Sequence, residues 1–221
     1  MAIKYRFKGF LFDLDGTLLD TAPDLLLALN HVLRKNNKPN LKLENIRSII
    51  SEGSEGLIQL GLGFKKNSPA FNVAKKEFLN YYRDNLTENT SIFGGMEEIL
   101  AEIEDSGRQW GIVTNKPTCF TMPLLEYFGW TNRTRCIICG DSLRKRKPSP
   151  EPLIEGSKRL KLSVKECVYV GDALSDIEAS RAAGMLVITA KYGYLPDGDV
   201  QKNWKTNNTI DNPSDLRSWL K

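Results

Sequence analysis

At 221 residues, with 41% apolar and 26% charged side chains, the chain can bury a full core and has the balance of an ordinary globular protein. Its net charge of +4 suits anionic ligands but falls far short of a dedicated nucleic-acid binder. No apolar stretch approaches the ~20 residues of a membrane helix, no signal-peptide pattern opens the chain, and four scattered cysteines make no disulfide scaffold, so a cytoplasmic protein is expected.

The first element is the apolar strand Gly9–Phe12, which runs into "FDLDGTLLD" at residues 12–20. Asp13 and Asp15 lie two apart in extended backbone and face the same way, and Gly16 allows the chain to turn off sharply. Like charges that close repel, so the pair needs a cation or a chemical task; the plainer alternative is a turn with solvated acids.

From Thr21 to about Leu86 the signals are helical only. Pro23 opens a helix with Leu25, Leu26, Leu29, Val32 and Leu33 on its apolar face. Ile46, Ile49 and Ile50 mark a second helix, and Leu57, Ile58 and Leu60 a third. Ser68-Pro69 starts a fourth, carrying Phe71, Ala74, Phe78, Tyr81 and Tyr82. A helical insertion of that size reads as a small lid domain over 21–86, with 1–20 and 87–221 forming the core. His31, the only histidine, falls in the first of these helices as a packed or solvated residue, which argues against histidine-based or zinc chemistry.

Beyond the insertion, helix and strand alternate. Met96, Ile99, Leu100 and Ile103 form a helix closed by Gly107, and the strand Trp110–Val113 then ends at Thr114 in "GIVTNKP". Phe120, Leu124, Leu125 and Phe128 form the next helix, closed by Gly129. The strand Cys136–Cys139 puts its two cysteines on opposite faces, a poor chelate or redox pair. In "RKRKPSPEP", Arg144, Lys145 and Arg146 read as a solvated run, whereas Lys147 is held rigidly by Pro148 and Pro150. The strand Val168–Val170 leaves through Gly171 to Asp172, with Asp176 one helical turn further on. Ile177, Ala182 and Ala183 mark a helix closed by Gly184. The strand Leu186–Ala190, a polar loop over Asp197–Asn208 and a short helix Pro213–Leu220 complete the chain. The alternation predicts an α/β fold around a parallel sheet. Such sheets bind ligands beyond the carboxyl ends of their strands, where Asp13, Thr114 and Asp172 all fall. Taken singly, Thr114 and Asp172 are also reasonable helix caps.

In order and placement, "DLDGT", a threonine closing the next strand, "KP" at Lys147 and "GD…D" at Gly171, Asp172 and Asp176 resemble the motifs of the haloacid dehalogenase superfamily of phosphohydrolases. The match runs from the first strand to the C-terminus. The resemblance implies a Rossmann-like parallel sheet core with an inserted all-helical cap. It also implies Mg2+-dependent hydrolysis of a small phosphomonoester through an aspartyl-phosphate. Asp13 would be the nucleophile and Asp15 the general acid and base, a residue that phosphohydrolases need and dehalogenases do not. The metal would take the carboxylates of Asp13 and Asp172 and the backbone carbonyl of Asp15, with Asp176 orienting from behind. Thr114, the backbone amide of Asn115 and Lys147 would hold the phosphoryl group.

In this cap type the leaving group meets the loop carrying Ser51, Gly53 and Ser54, although Ser54 is equally well an N-cap. Residues 10–63 look most like bacterial phosphoglycolate phosphatases. N-acetylmuramic acid 6-phosphate phosphatases, whose cap loop carries a serine like Ser51, and β-phosphoglucomutase-like isomerases are the alternatives. The expected partner is a small phosphorylated metabolite, with neither nucleic acid nor membrane, and the expected state is a monomer or weak homodimer.

Overall fold

The computed structural model describes residues 7–196, 198 and 203–220. Strand β1 (Gly9–Phe12) and a two-residue β2 (Leu19–Asp20) lead into the helices α1 (Ala22–Lys35), α2 (Leu43–Ile46), α3 (Gly53–Leu62) and α4 (Pro69–Asp84). After β3 (Ser91–Ile92) come α5 (Met96–Asp105), β4 (Gln109–Val113), α6 (Thr118–Tyr127), β5 (Ile137–Ile138) and α7 (Glu151–Arg159). The chain closes with β6 (Cys167–Gly171), α8 (Leu174–Ala183), β7 (Leu186–Ala190), β8 (Thr209–Ile210) and a 3-10 helix over Pro213–Trp219.

Six strands form one parallel sheet in the order β5-β4-β1-β6-β7-β8. Side chains alternate across it as extended backbone requires. Phe10, Phe12, Trp110, Ile112, Val168 and Val170 fill the layer on one face, and Leu11, Val113, Ile138 and Tyr169 fill the other. Both layers are closed to water, which is why these strands read as unbroken apolar runs. The first layer continues through Leu14 and Leu18 into Leu29 and Phe78 of α1 and α4, so one apolar cluster joins the sheet to the helical segment. Because β1 is central, with β4 and β6 on either side, the chain leaving these three strands delivers Asp13, Thr114 and Asp172 to one edge. The Asp13 amide continues the ladder, donating to the Val170 carbonyl at 2.9 Å.

Several expectations change in detail. The second cap helix is a single turn, α2, followed by a 3-10 stretch over Arg47–Glu52 that buries Ile46 and Ile50. Ser54 lies inside the first turn of α3, whose N-cap is Glu52, so the N-cap reading of Ser54 is wrong. Ser68 does cap α4, its Oγ accepting from the Phe71 amide at 3.2 Å. Helix α7 escapes sequence reading because its start lies among the prolines, with Pro152 in its first turn, a place where the missing N–H costs nothing. Strands β2, β3 and β8 are too short to show a period. The expected polar loop at 197–208 falls partly outside the described residues. No helix among the described residues is long and apolar enough to cross a membrane.

Strands β2 and β3 pair antiparallel, so the chain enters and leaves the helical segment side by side. Asp24, in the first turn of α1 and fully buried, fastens the two crossings together. Its carboxylate accepts from the Asn89 amide (2.9 Å), Asn89 Nδ2 (3.1 Å), the Thr90 amide (2.8 Å) and Thr90 Oγ1 (2.7 Å). Asp24→Ala strands all four donors and should cost about 3 kcal/mol. In a chain of this size that lowers the melting temperature by roughly 10 °C, measurable by calorimetry.

Candidate active site

Lys147 is 2% exposed, an unusual place for an ammonium group unless every proton has a partner. Its Nζ lies 2.7 Å from Asp176 Oδ1 and 3.1 Å from Asp13 Oδ2, and donates to the Val113 carbonyl at 2.9 Å and the Tyr169 hydroxyl at 2.7 Å. Burial alone would make this ammonium easier to deprotonate, but Asp13 and Asp176 outweigh it and raise its pKa. Asn115 Nδ2 donates to the Lys147 carbonyl at 2.9 Å and steadies the mount expected of the prolines.

Asp13, Asp172 and Asp176 each bring a carboxylate oxygen to within 4.8 Å of the others. Three buried acids therefore face one buried base. Burial, reinforced by Asp176, raises the Asp13 pKa to about 6 against the pull of Lys147, of a hydrogen bond from the Thr114 hydroxyl and of the Leu14 amide. Burial, then the neighbouring Asp13 and Asp176, pushes Asp172 well above the ordinary carboxylate range. Surplus negative charge among hard oxygens suits a divalent cation such as Mg2+. Asp176, fully buried, spends Oδ1 on Lys147 and Oδ2 on the Ala173 amide (2.9 Å). Asp172 itself is oriented by Thr17 Oγ1 at 2.9 Å and the Tyr194 amide at 2.7 Å.

The backbone is cut to fit these acids. Gly16 has φ +79°, and a Cβ there would sit 2.1 Å from Asp172 Oδ2. Only glycine meets both demands. The cap readings of Thr114 and Asp172 also lapse: α6 begins at Thr118 with Pro117 before it, and the N-cap of α8 is Ala173. Thr114 Oγ1 instead accepts from the Lys116 amide at 3.2 Å and faces Asp13. Asn115 Oδ1 is buried without a hydrogen-bond partner, a polar atom awaiting one at the edge of the site.

The Asp15 side chain points elsewhere. It meets Lys116 Nζ at 2.9 and 3.1 Å and accepts from Thr21 Oγ1 at 2.7 Å. Lys116, itself buried, also donates to the Tyr82 hydroxyl of α4 at 2.7 Å. Asp15 is thus held at the seam between the sheet and the helical segment by Lys116 and Thr21, with Tyr82 bonded in turn to Lys116. Lys116 sits in the quoted "TNKP" and was visible as a cation at a strand end; Tyr82 was counted as apolar packing. A second seam contact runs from Arg47 Nη2 to Asp20 Oδ2 at 2.7 Å, and Tyr194 Oη donates to Asp20 Oδ1 at 2.8 Å.

Ser51 and Gly53 are exposed and Ser54 is half-buried, and these cap-loop residues make no hydrogen bond to the carboxylate group. His31 stacks on Tyr81 and meets Glu77 at 3.3 Å, a packing role. Cys136 and Cys139 are both buried, and burial lifts the Cys136 thiol to about 11, leaving it inert.

The family model described as haloacid dehalogenase-like hydrolase matches residues 10–190. An N-acetylmuramic acid 6-phosphate phosphatase of Pseudomonas putida is 37% identical over 212 residues, 96% of this chain and 95% of the relative. A phosphoglycolate phosphatase of Xanthomonas campestris is 37% identical over 209 residues, 95% and 94% of the two chains. Among solved structures, one described as a predicted phosphoglycolate phosphatase from Haemophilus somnus superposes with a TM-score of 0.88 at 29% identity, covering 98% of this chain and 99% of that one.

The raised Asp13 pKa sets a pH dependence in metal-free protein. The unfolded chain gives up this proton near 3.8 and the folded chain near 6, so between those values the folded state binds more protons. Stability should fall as pH rises through that window, by about 3 kcal/mol, and a divalent cation should recover the loss above it. Glu55 and Glu166, lowered from 4.5 to about 2 chiefly by lysine partners, act in the opposite sense at the acid end of the window and add little above it. Melting curves in chelator from pH 4 to 7 should show the fall in wild type and a smaller one in Asp13→Asn, where buried Asp172 still titrates in the same sense.

Proposed function

Since the chain belongs to the haloacid dehalogenase-like hydrolases, we propose that it hydrolyses a small phosphorylated metabolite with Mg2+, through a phosphorylated Asp13. The observation that carries the reading is the gathering of Asp13, Asp172 and Asp176 around the buried ammonium of Lys147. The carboxylates of Asp13 and Asp172 and the carbonyl of Asp15 would hold the ion, which would neutralise charge on the phosphoryl oxygens.

Asp13 attacks phosphorus as the bond to the leaving oxygen breaks, giving an aspartyl-phosphate that water then opens. Lys147 offsets the repulsion between an anionic nucleophile and an anionic phosphate, and Thr114 with the Asn115 amide holds the transferring group. Asp15 protonates the leaving oxygen and later takes a proton from the attacking water. Lys116 and Thr21 keep its carboxyl at the seam, where a leaving group held under the helical segment would lie. Residues 21–86 form the cap in this reading.

The preferred substrate is 2-phosphoglycolate, in keeping with the Xanthomonas relative. The cap loop favours a second reading. From Ser51 to Ser54 it offers two hydroxyls and a glycine, which suits a hydroxylated leaving group such as the sugar of N-acetylmuramic acid 6-phosphate.

Phosphate release from both compounds, with a sugar 1-phosphate as control, should need Mg2+ and stop in chelator. Asp13→Asn should show no turnover, and Asp15→Asn should lose about 10^2–10^4-fold in kcat. Turnover that survives both chelator and Asp13→Asn would overturn the mechanism. The ratio of kcat/KM values between the two compounds assigns the substrate.

A further inference from the structure

At the amino-terminal edge of the sheet, a strand's length of roughly 16 Å from Thr114, β4 borders a cavity of about 740 Å³. The size is that of a small-molecule site. Its wall carries Arg108, Arg133, Arg135, Arg159 and Lys161 against one acid, Glu104.

That acid is already engaged. Glu104 Oε1 accepts from Trp110 Nε1 at 2.7 Å and from Arg133 Nε at 3.2 Å, and Arg133 is balanced further by Glu97. Arg159 pairs with Glu155 at 2.9 Å. Three cations are left over. Arg108 is fixed by two neutral carbonyls, Phe7 O at 3.0 Å and Leu220 O at 2.7 Å, with no carboxylate among its bonds. Arg135 and Lys161 meet no acid among the described residues. Like charges converging on one hollow repel unless an anion joins them.

We propose that this cavity binds a phosphate chain, the common part of inorganic oligophosphates and nucleoside triphosphates. Three uncompensated cations call for a multivalent anion, and the planar forks of arginine match phosphate oxygens in pairs. Trp110, the only aromatic residue of the wall among the described residues, is 1% exposed and offers no face to a base, so the phosphates alone are recognised. The site lies at the opposite end of the sheet from Asp13 and is independent of the hydrolytic reading.

One position suits a clean test. Lys161 follows α7 with φ +59°, a left-handed conformation in which glycine is at ease. Lys161→Gly removes the charge while relieving the backbone, so the variant should fold at least as well as wild type. Titration calorimetry of the full chain with inorganic tripolyphosphate, in chelator, should show one site. Affinity should drop about tenfold in Lys161→Gly or Arg135→Gln and about a hundredfold in the double variant. Melting temperature and basal turnover of the phosphomonoester should be unchanged, and ATP should bind no more tightly than tripolyphosphate. Equal affinity in wild type and double variant would place the anion elsewhere and overturn the proposal. Much tighter binding of ATP or of a short oligonucleotide would overturn recognition through phosphates alone.

Discussion

The site depends on a charge imbalance sealed away from water. One ammonium, on Lys147, answers three carboxylates, and none of the four groups can relax toward solvent. Leaving an ion buried and unpaired is among the costlier things a fold can do, so the arrangement persists because each charge is held by several bonds. The fold supplies those bonds from elements distant in sequence: Thr17 after β1, Val113 ending β4, Tyr169 within β6, and the Ala173 and Tyr194 amides. The imbalance left over suits a divalent cation at this edge of the sheet.

The second carboxylate of the first motif is handled differently. Asp15 is half-exposed and answers to Lys116 and Thr21, while Lys116 reaches across to Tyr82 on α4. Its setting therefore depends on how the helical segment sits against the sheet, whereas that of Asp13 depends on the sheet and on the loop and helix carrying Lys147 and Asp176. Two aspartates two residues apart thus report on different parts of the molecule. Each environment matches the part given to its residue: Asp13 is rigid and desolvated, and Asp15 stands where a leaving group would arrive.

Much of this was legible in the residues. Apolar runs of three to five located β1, β4, β6 and β7 because strands covered on both faces leave no room for polar side chains, and Asp13, Thr114 and Asp172 fell at their ends. The missed elements were short or disguised. Strands β2, β3 and β8 have two residues each, and α7 starts among prolines that read as loop. The missed site residues share a cause as well. Lys116, Tyr82, Tyr169 and Tyr194 act on groups far away in the chain, and long-range pairings of that kind leave no spacing to read. The cap loop was the weakest reading, since a serine at a helix start looks alike whether it caps the helix or stands inside it.

The twin crossings at β2 and β3, stitched by Asp24, have an evolutionary corollary. A segment whose ends emerge side by side can be exchanged for another of matching spacing without redrawing the strands that carry Asp13, Thr114 and Asp172. In the proposed function, chemistry and selectivity would then sit on separable parts, the sheet as chassis and the helices as a replaceable fitting. A chimaera that kept Asp24, Asn89 and Thr90 and traded the helices between them would be the natural way to retune such a catalyst.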